Sequence, residues 1–346
     1  MLEQDAMVLR SHGGPEVLTK ERIEIAPPGP REVQVAVRAV AMNHMDLWVR
    51  RGLPSLKLAY PHRLGCDISG VVEALGPGAR GVSVGDEVML QPGLSCGVCP
   101  ACLAGTDNLC RSYKILGEST SGGYGQRIVV PDQNILPKPS GLSFAEAAAL
   151  PLCLLTAWQM VFRKGEVRAG QTVLVHAAGS GVSSLAIQLC KLAGAKVITT
   201  TGTDEKAARA RALGADEVVN YSTHDFAKEV RELTRKAGVD LVLDHVGGEV
   251  LEKSVTAVKW GGRIVTCGAT AGFTPKLDLR HIFFRQVELR GSTMGRKGDL
   301  HEALPLVAEG RVRPVVDRVM SLWDARAAHE LLEARAAFGK IVLAVD

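Results

Sequence analysis

The rhythm of apolar and polar positions changes once along this 346-residue chain. Up to about residue 140 the pattern is short and alternating. The segments 7–10, 32–39, 70–75, 86–90 and 127–130 read as strands. Gly13-Gly14-Pro15, Pro27-Pro28-Gly29-Pro30, Gly76-Pro77-Gly78 and the stretch 137–141 punctuate them as turns. This predicts a partly open barrel of antiparallel strands. From Phe144 the period lengthens, with helices expected over 144–150 and 154–162. Strands at 172–175, 196–200, 217–219, 241–244 and 263–266 then alternate with helices at 182–193, 204–213, 225–236 and 249–258. Such alternation predicts an α/β doubly wound parallel sheet covered on both faces. A strand at 287–291 follows, then helices at 299–309 and 325–335 and strands near 315–316 and 341–345. That tail is too short to fold alone and is expected to return to the first domain.

One stretch organises the second half. Thr172-Val173-Leu174-Val175 runs into His176-Ala177-Ala178-Gly179-Ser180-Gly181. Val182, Leu185, Ala186, Leu189 and Ala193 then follow at helical spacing. Strand, small-residue turn and helix form a seat for a pyrophosphate, because backbone N–H groups and the helix dipole meet its charge there. Gly179-x-Gly181-x-x-Ser184 is a degraded form of the dinucleotide-binding glycine pattern, which an ordinary tight turn can also show.

Composition excludes several classes. The chain is 46% apolar and 23% charged, as a soluble globular protein is, with 41 basic and 37 acidic residues giving a net charge of +4. That charge is too small and dispersed for nucleic acid, and 4% aromatic residues offer few stacking platforms. The acidic start Met1-Leu2-Glu3-Gln4-Asp5 is not a secretory signal. The apolar run 147–162 is broken by Pro151 and Gln159 and is too short to span a bilayer. No membrane partner and a cytoplasmic location are expected. Eight cysteines then point to thiols and metal rather than disulfides.

Four of those cysteines are grouped. Cys96, Cys99, Cys102 and Cys110 lie within fifteen residues of a Gly- and Pro-rich loop. Four sulfurs can close a tetrahedron around Zn²⁺ and leave no place for water or substrate, so the metal would be structural. Free thiols or a small iron–sulfur site are the competing readings.

Together these features resemble the medium-chain dehydrogenase/reductase superfamily, which contains zinc alcohol dehydrogenases and quinone or enone reductases. The resemblance covers nearly the whole chain. It rests on the four-cysteine lobe, the domain order, Gly70-Val71-Val72, Gly85-Asp86-Glu87-Val88 and Gly339-Lys340-Ile341-Val342-Leu343. It implies a GroES-like catalytic domain over 1–150 and 288–346, with a zinc lobe near 93–113, and a Rossmann domain over 151–287.

The catalytic positions depart from the alcohol dehydrogenase pattern. Asn43-His44-Met45-Asp46, with Arg51-Gly52 following, looks like the quinone reductase branch. Gly65-Cys66-Asp67 stands where the metal branch has Gly-His-Glu, and Cys153 falls near its third ligand. Asn43, Asp46, Cys66 and Asp67 are therefore the candidate catalytic residues, with Trp48 shaping the pocket. Cys66, Asp67 and Cys153 are the candidate ligands of a second zinc, supplemented by His44, His62 or Glu118. Ordinary buried thiols are the alternative. Cys190 is expected to pack in the core, and Cys267-Gly268 to lie where the family holds the nicotinamide amide. His176 reads as a hydrogen-bonded structural residue, and His245 as a loop residue that could touch ribose. Arg50-Arg51 and Arg296-Lys297 read as solvated charge, or as receivers of a coenzyme A tail's phosphates.

An NAD site normally has an acid at the end of its second strand, about 20 residues past the glycines. Here that place reads Thr199-Thr200-Thr201-Gly202-Thr203, and Asp204 and Glu205 arrive only in the next helix. Thr203, Lys206 and Tyr221 resemble the 2′-phosphate contacts of NADPH-dependent quinone reductases. The cofactor set is thus Thr156, Gly179, Ser180, Gly181, Val182, Thr201, Thr203, Lys206, Tyr221, Cys267, Gly268 and Lys340. NADPH is expected, with NADH as the permissive alternative.

The reading is an NADPH-dependent oxidoreductase reducing a C=C bond conjugated to a carbonyl: an enone, a quinone or an enoyl thioester. A zinc alcohol dehydrogenase or carbonyl reductase, and an NADPH-binding protein without turnover, are the alternatives. A small-molecule substrate and a homodimer or homotetramer are expected. Assembly would use the sheet edge at 287–291.

Overall fold

The computed structural model describes residues 1–53 and 56–346. The chain divides into two compact units, Met1–Leu152 with Arg296–Asp346, and Cys153–Gly295.

The first unit is built on a seven-stranded sheet. Its order is Val316–Ser321, Lys340–Ala344, Glu32–Ala41, Asp67–Leu75, Glu87–Leu90 and Ile135–Pro137, with Arg127–Pro131 pairing to Glu32–Ala41 as well. Val33, Val35, Ile68, Val72, Val88, Leu90, Ile128 and Leu136 are buried along it. A hairpin of Leu2–Val8 and Thr19–Ile25 lies beside it in sequence. The tail does return here, because Lys340–Ala344 pairs antiparallel with Glu32–Ala41. Register then fixes the chemistry. Ala41 faces Asp67 on one side and Val342 on the other. Asn43 follows Ala41 by two residues, and Lys340 precedes Val342 by two. Three polar residues far apart in sequence therefore meet at one end of the sheet.

The second unit holds six parallel strands in the order Glu217–Asn220, Lys196–Thr201, Thr172–Val175, Val239–Asp244, Val258–Thr266 and Glu288–Gly291. This is the doubly wound order, which reverses direction beside Thr172–Val175, where such sheets bind dinucleotides. Leu174, Ile198, Val242 and Ile264 from the strands pack with Phe226, Val230, Leu251 and Val255 from the helices. Ser180, Thr203 and Asp225 cap the helices Gly181–Leu192, Asp204–Ala212 and Phe226–Leu233 through their side-chain oxygens.

The fold departs from expectation at a domain boundary and at one helix. The boundary expected at 287/288 lies at Gly295, because Glu288–Gly291 pairs with Val258–Thr266 and belongs to the parallel sheet. The helix His44–Arg51 was not expected, because Asp46 and Arg50 are buried on it and break the apolar pattern. No described helix is long and apolar enough to cross a membrane.

Candidate active site and metal lobe

Asp67 opens its strand with no solvent exposure. Its Oδ1 accepts from the Leu152 N–H at 2.6 Å. Its Oδ2 accepts from Asn43 Nδ2 at 2.8 Å and from Lys340 Nζ at 2.9 Å. Lys340 also donates to Asn43 Oδ1 at 2.6 Å, which fixes the orientation of the amide. The other side of that amide reaches Cys66 Sγ at 3.3 Å. Lys340 was expected at the cofactor. Its ammonium pairs with Asp67 inside the first unit, which satisfies a carboxylate that burial alone would make costly.

Asp46 is buried below this cluster. Its carboxylate accepts the Asn43 N–H at 2.7 Å and the Gly65 N–H at 3.0 Å, fixing both loops that carry the site. Burial pushes its pKa up to about 6, against the pull of those two N–H groups. His44 and Trp48 stand edge to face with centroids 5.4 Å apart, and both are half-buried. Arg50 is not solvated charge: it is 1% exposed, paired with Glu333 and within 3.4 Å of His329 Nδ1. Lys297 is likewise withdrawn, its Nζ being buried. Neither suits a coenzyme A phosphate.

Among the described residues, the donors expected for a second zinc do not converge as a group of three or more ligands. Both oxygens of Asp67 are engaged by N–H groups, one of them an ammonium, and Cys66 accepts from Asn43. Cys153 lies in the other unit, where it acts on Cys267. The Cys267 thiol is pushed up to about 12, by burial first and then by Asp244 and Cys153. His62 turns its Nε2 to the Gly117 carbonyl at 3.2 Å. Among the described residues, one group of three or more metal-ligating side chains converges, and it is the four-cysteine lobe.

That lobe does fit zinc. The sulfurs of Cys96, Cys99, Cys102 and Cys110 all lie within 4.8 Å of one another. Cys99–Cys102, Cys110–Cys96 and Cys96–Cys102 are 3.5, 3.6 and 3.9 Å apart. Tetrahedral Zn–S bonds of about 2.3 Å place sulfurs about 3.8 Å apart. The N–H groups of Val98 and Cys99, with the Cys110 thiol, bring the Cys96 thiol down, while the neighbouring thiols and burial push the Cys99 thiol up.

In the second unit the phosphate turn carries its one left-handed residue at Ala177 (φ 53°) rather than at either glycine. Ser180 Oγ caps the helix Gly181–Leu192 by accepting from Ser183 N at 3.0 Å. His245 Nε2 meets Ser180 Oγ at 2.9 Å and Ser183 Oγ at 3.0 Å. It therefore orients the turn's hydroxyls, a role the sequence did not reveal because sixty residues intervene. Small side chains and Val182 leave the helix N-terminus accessible to a pyrophosphate, and the cradle fits a dinucleotide. His176 is neutral and structural: its pKa is pushed down to about 3 by burial, and it bonds Ser254 at 2.8 Å. Cys190 is core, as expected.

At the second strand's end Thr201 Oγ1 donates to Thr203 O at 3.3 Å, and Thr203 Oγ1 accepts from Lys206 N at 3.2 Å. Tyr221, half-exposed, stands over Gly202, where a Cβ would lie 2.8 Å from its hydroxyl. Asn220 Nδ2 holds Asp204 Oδ1 at 2.9 Å. Thr156 is buried in the helix Pro151–Trp158, and Gly268 packs on the His245 carbonyl.

Comparison with known proteins agrees with this fold. Residues 29–140 match the family described as alcohol dehydrogenase GroES-like domain, and residues 181–309 the one described as zinc-binding dehydrogenase. A solved NAD-dependent alcohol dehydrogenase superposes with a TM-score of 0.96 at 53% identity, covering 99% of this chain and 100% of that one. The NAD-dependent alcohol dehydrogenase of Sulfolobus acidocaldarius is 31% identical over 98% of this chain and 99% of its own. The quinone oxidoreductase of Pseudomonas aeruginosa is 32% identical over 96% and 97%. The chain is an oxidoreductase and belongs to the medium-chain dehydrogenase/reductase superfamily.

Proposed function

We propose that this protein reduces a C=C bond conjugated to a carbonyl, using NADPH and no catalytic metal. The observation that carries this reading is the Lys340–Asp67–Asn43 cluster. It puts a fixed ammonium on Asp67, the residue that stands where the zinc-using branch's Gly-His-Glu has its Glu. A bound nicotinamide supplies the hydride. The chain's own residues orient the substrate and stabilise charge. When hydride reaches the β-carbon, the electron pair of the alkene moves onto the carbonyl oxygen as an enolate. The positive charge of Lys340, held by Asn43 and Asp67, lowers the energy of that oxyanion. Solvent then returns a proton to the α-carbon. Asp46 acts as a positioning residue, because its carboxylate is taken up by two backbone N–H groups.

The absence of an acid before Asp204 supports NADPH, with Thr203, Lys206 and Tyr221 receiving the 2′-phosphate. The cysteine lobe holds one structural zinc. Glu288–Gly291 ends the parallel sheet, and Leu289, Phe283, Phe284 and Trp260 are exposed in the same unit. An outer strand with apolar neighbours supports a symmetric dimer through this edge.

A second reading, NAD(H)-dependent carbonyl reduction, is favoured by the name of the solved relative at 53% identity. Turnover with 4-deuterated NADPH separates the two. Deuterium on the β-carbon of an enone supports alkene reduction, whereas deuterium on the carbinol carbon supports the second reading.

A further inference from the structure

Lys297 opens the helix Lys297–Ala308 in the tail, and its backbone N–H donates to Asp107 Oδ1 at 2.8 Å. Asp107 belongs to the cysteine lobe: it sits between Cys102 and Cys110 and accepts the Cys110 N–H on its own carbonyl. This hydrogen bond ties the tail to the lobe. Two further atoms at this junction are buried without a hydrogen-bond partner among the described residues, Lys297 Nζ and Asp107 Oδ2. Asp107 and Cys102 are the lobe residues that interact electrostatically with this side chain.

A buried ammonium requires an anion. Four thiolates around a divalent ion leave a net double negative charge. Groups behind a metal's ligands that donate to them strengthen the site. We propose that Lys297 is the charge-balancing partner of the lobe's zinc: its ammonium donates to the Cys102 sulfur of the loaded site, while Asp107 holds the lysine in place. Zinc binding and docking of the tail helix are then one coupled event. This rests on the structural-zinc reading.

The test counts zinc per chain and follows its transfer from the intact protein to the chelator 4-(2-pyridylazo)resorcinol. Melting of zinc-loaded and zinc-stripped protein is compared alongside. Lys297→Met should bind one zinc but lose it about 10- to 100-fold faster, with Lys297→Arg staying near wild type. Its melting temperature should fall in the loaded form and hardly change in the stripped form. Lys297→Gln carries the same test should the Met variant fail to fold. Wild-type release rates in both neutral variants, or an equal loss of melting temperature with and without zinc, would overturn the proposal. If Cys99→Ser holds as much zinc as wild type, the metal reading itself is wrong, a result distinct from a failure at Lys297.

Discussion

Lys340 Nζ lies 2.9 Å from Asp67 Oδ2, and the two side chains retain 5% and 0% of their exposure. Residues 273 positions apart thus form a buried ion pair at one end of a sheet. Breaking such a pair from one side leaves a charge uncompensated and costs about 3–5 kcal/mol, whereas removing both partners costs much less. Denaturant unfolding of Lys340→Met should show a loss of that order, and Lys340→Met with Asp67→Leu should recover part of it. Activity should fall about 10²- to 10³-fold in both variants, as when an oxyanion-stabilising group is removed. Additive losses of stability in the double variant would show that the pair is not coupled.

Asp46 gives a pH signature. Burial raises its folded pKa from 3.8 to about 6, so between these values the folded state holds more protons than the unfolded one. Stability from this group is therefore lost as pH rises from about 4 to 6, by about 3 kcal/mol, and stays lost above. Asp46→Asn cannot ionise. Its penalty relative to wild type should be largest near pH 4 and should shrink by about that amount at pH 7. Parallel stability profiles for the two proteins would contradict the assignment.

Cofactor choice rests on Lys206 and the hydroxyls around Gly202. A charge-assisted contact to a 2′-phosphate is worth about 1.5–3 kcal/mol, or roughly tenfold to hundredfold in affinity. Lys206→Ala should weaken NADPH by that factor and leave NADH nearly unchanged, as read by fluorescence titration. Equal affinity of the wild-type protein for both cofactors would sink this reading and favour the NAD(H) alternative.

The middle of the parallel sheet was legible because Thr172–Val175, Lys196–Thr201 and Val239–Asp244 are nearly continuous buried runs. Thr172–Val175 lies where the pattern placed it, and the neighbouring strands differ mainly by a residue or two at their ends. The strand Val258–Thr266 is the exception, starting five residues before the expected 263. The cysteine lobe was legible because ligand spacing is local. The helix His44–Arg51 was not, since buried Asp46 and Arg50 occupy positions that a periodic pattern reserves for apolar residues. Local rules tend to fail where function or buried polar networks intervene. The partnership of Lys340 with Asp67 was not legible for a different reason. Only the register of Lys340–Ala344 against Glu32–Ala41 brings its ammonium to Asp67. Likewise, no spacing rule could connect His245 to Ser180 and Ser183.

The most direct test of metal-free alkene reduction is zinc stoichiometry measured on the same active preparation that is assayed with NADPH and an α,β-unsaturated ketone. The account predicts one zinc per chain, lost in Cys99→Ser, with full enone turnover in Cys66→Ala as long as that single zinc is retained. Two zinc ions per chain, with one ion and the activity lost together in Cys66→Ala, would contradict it.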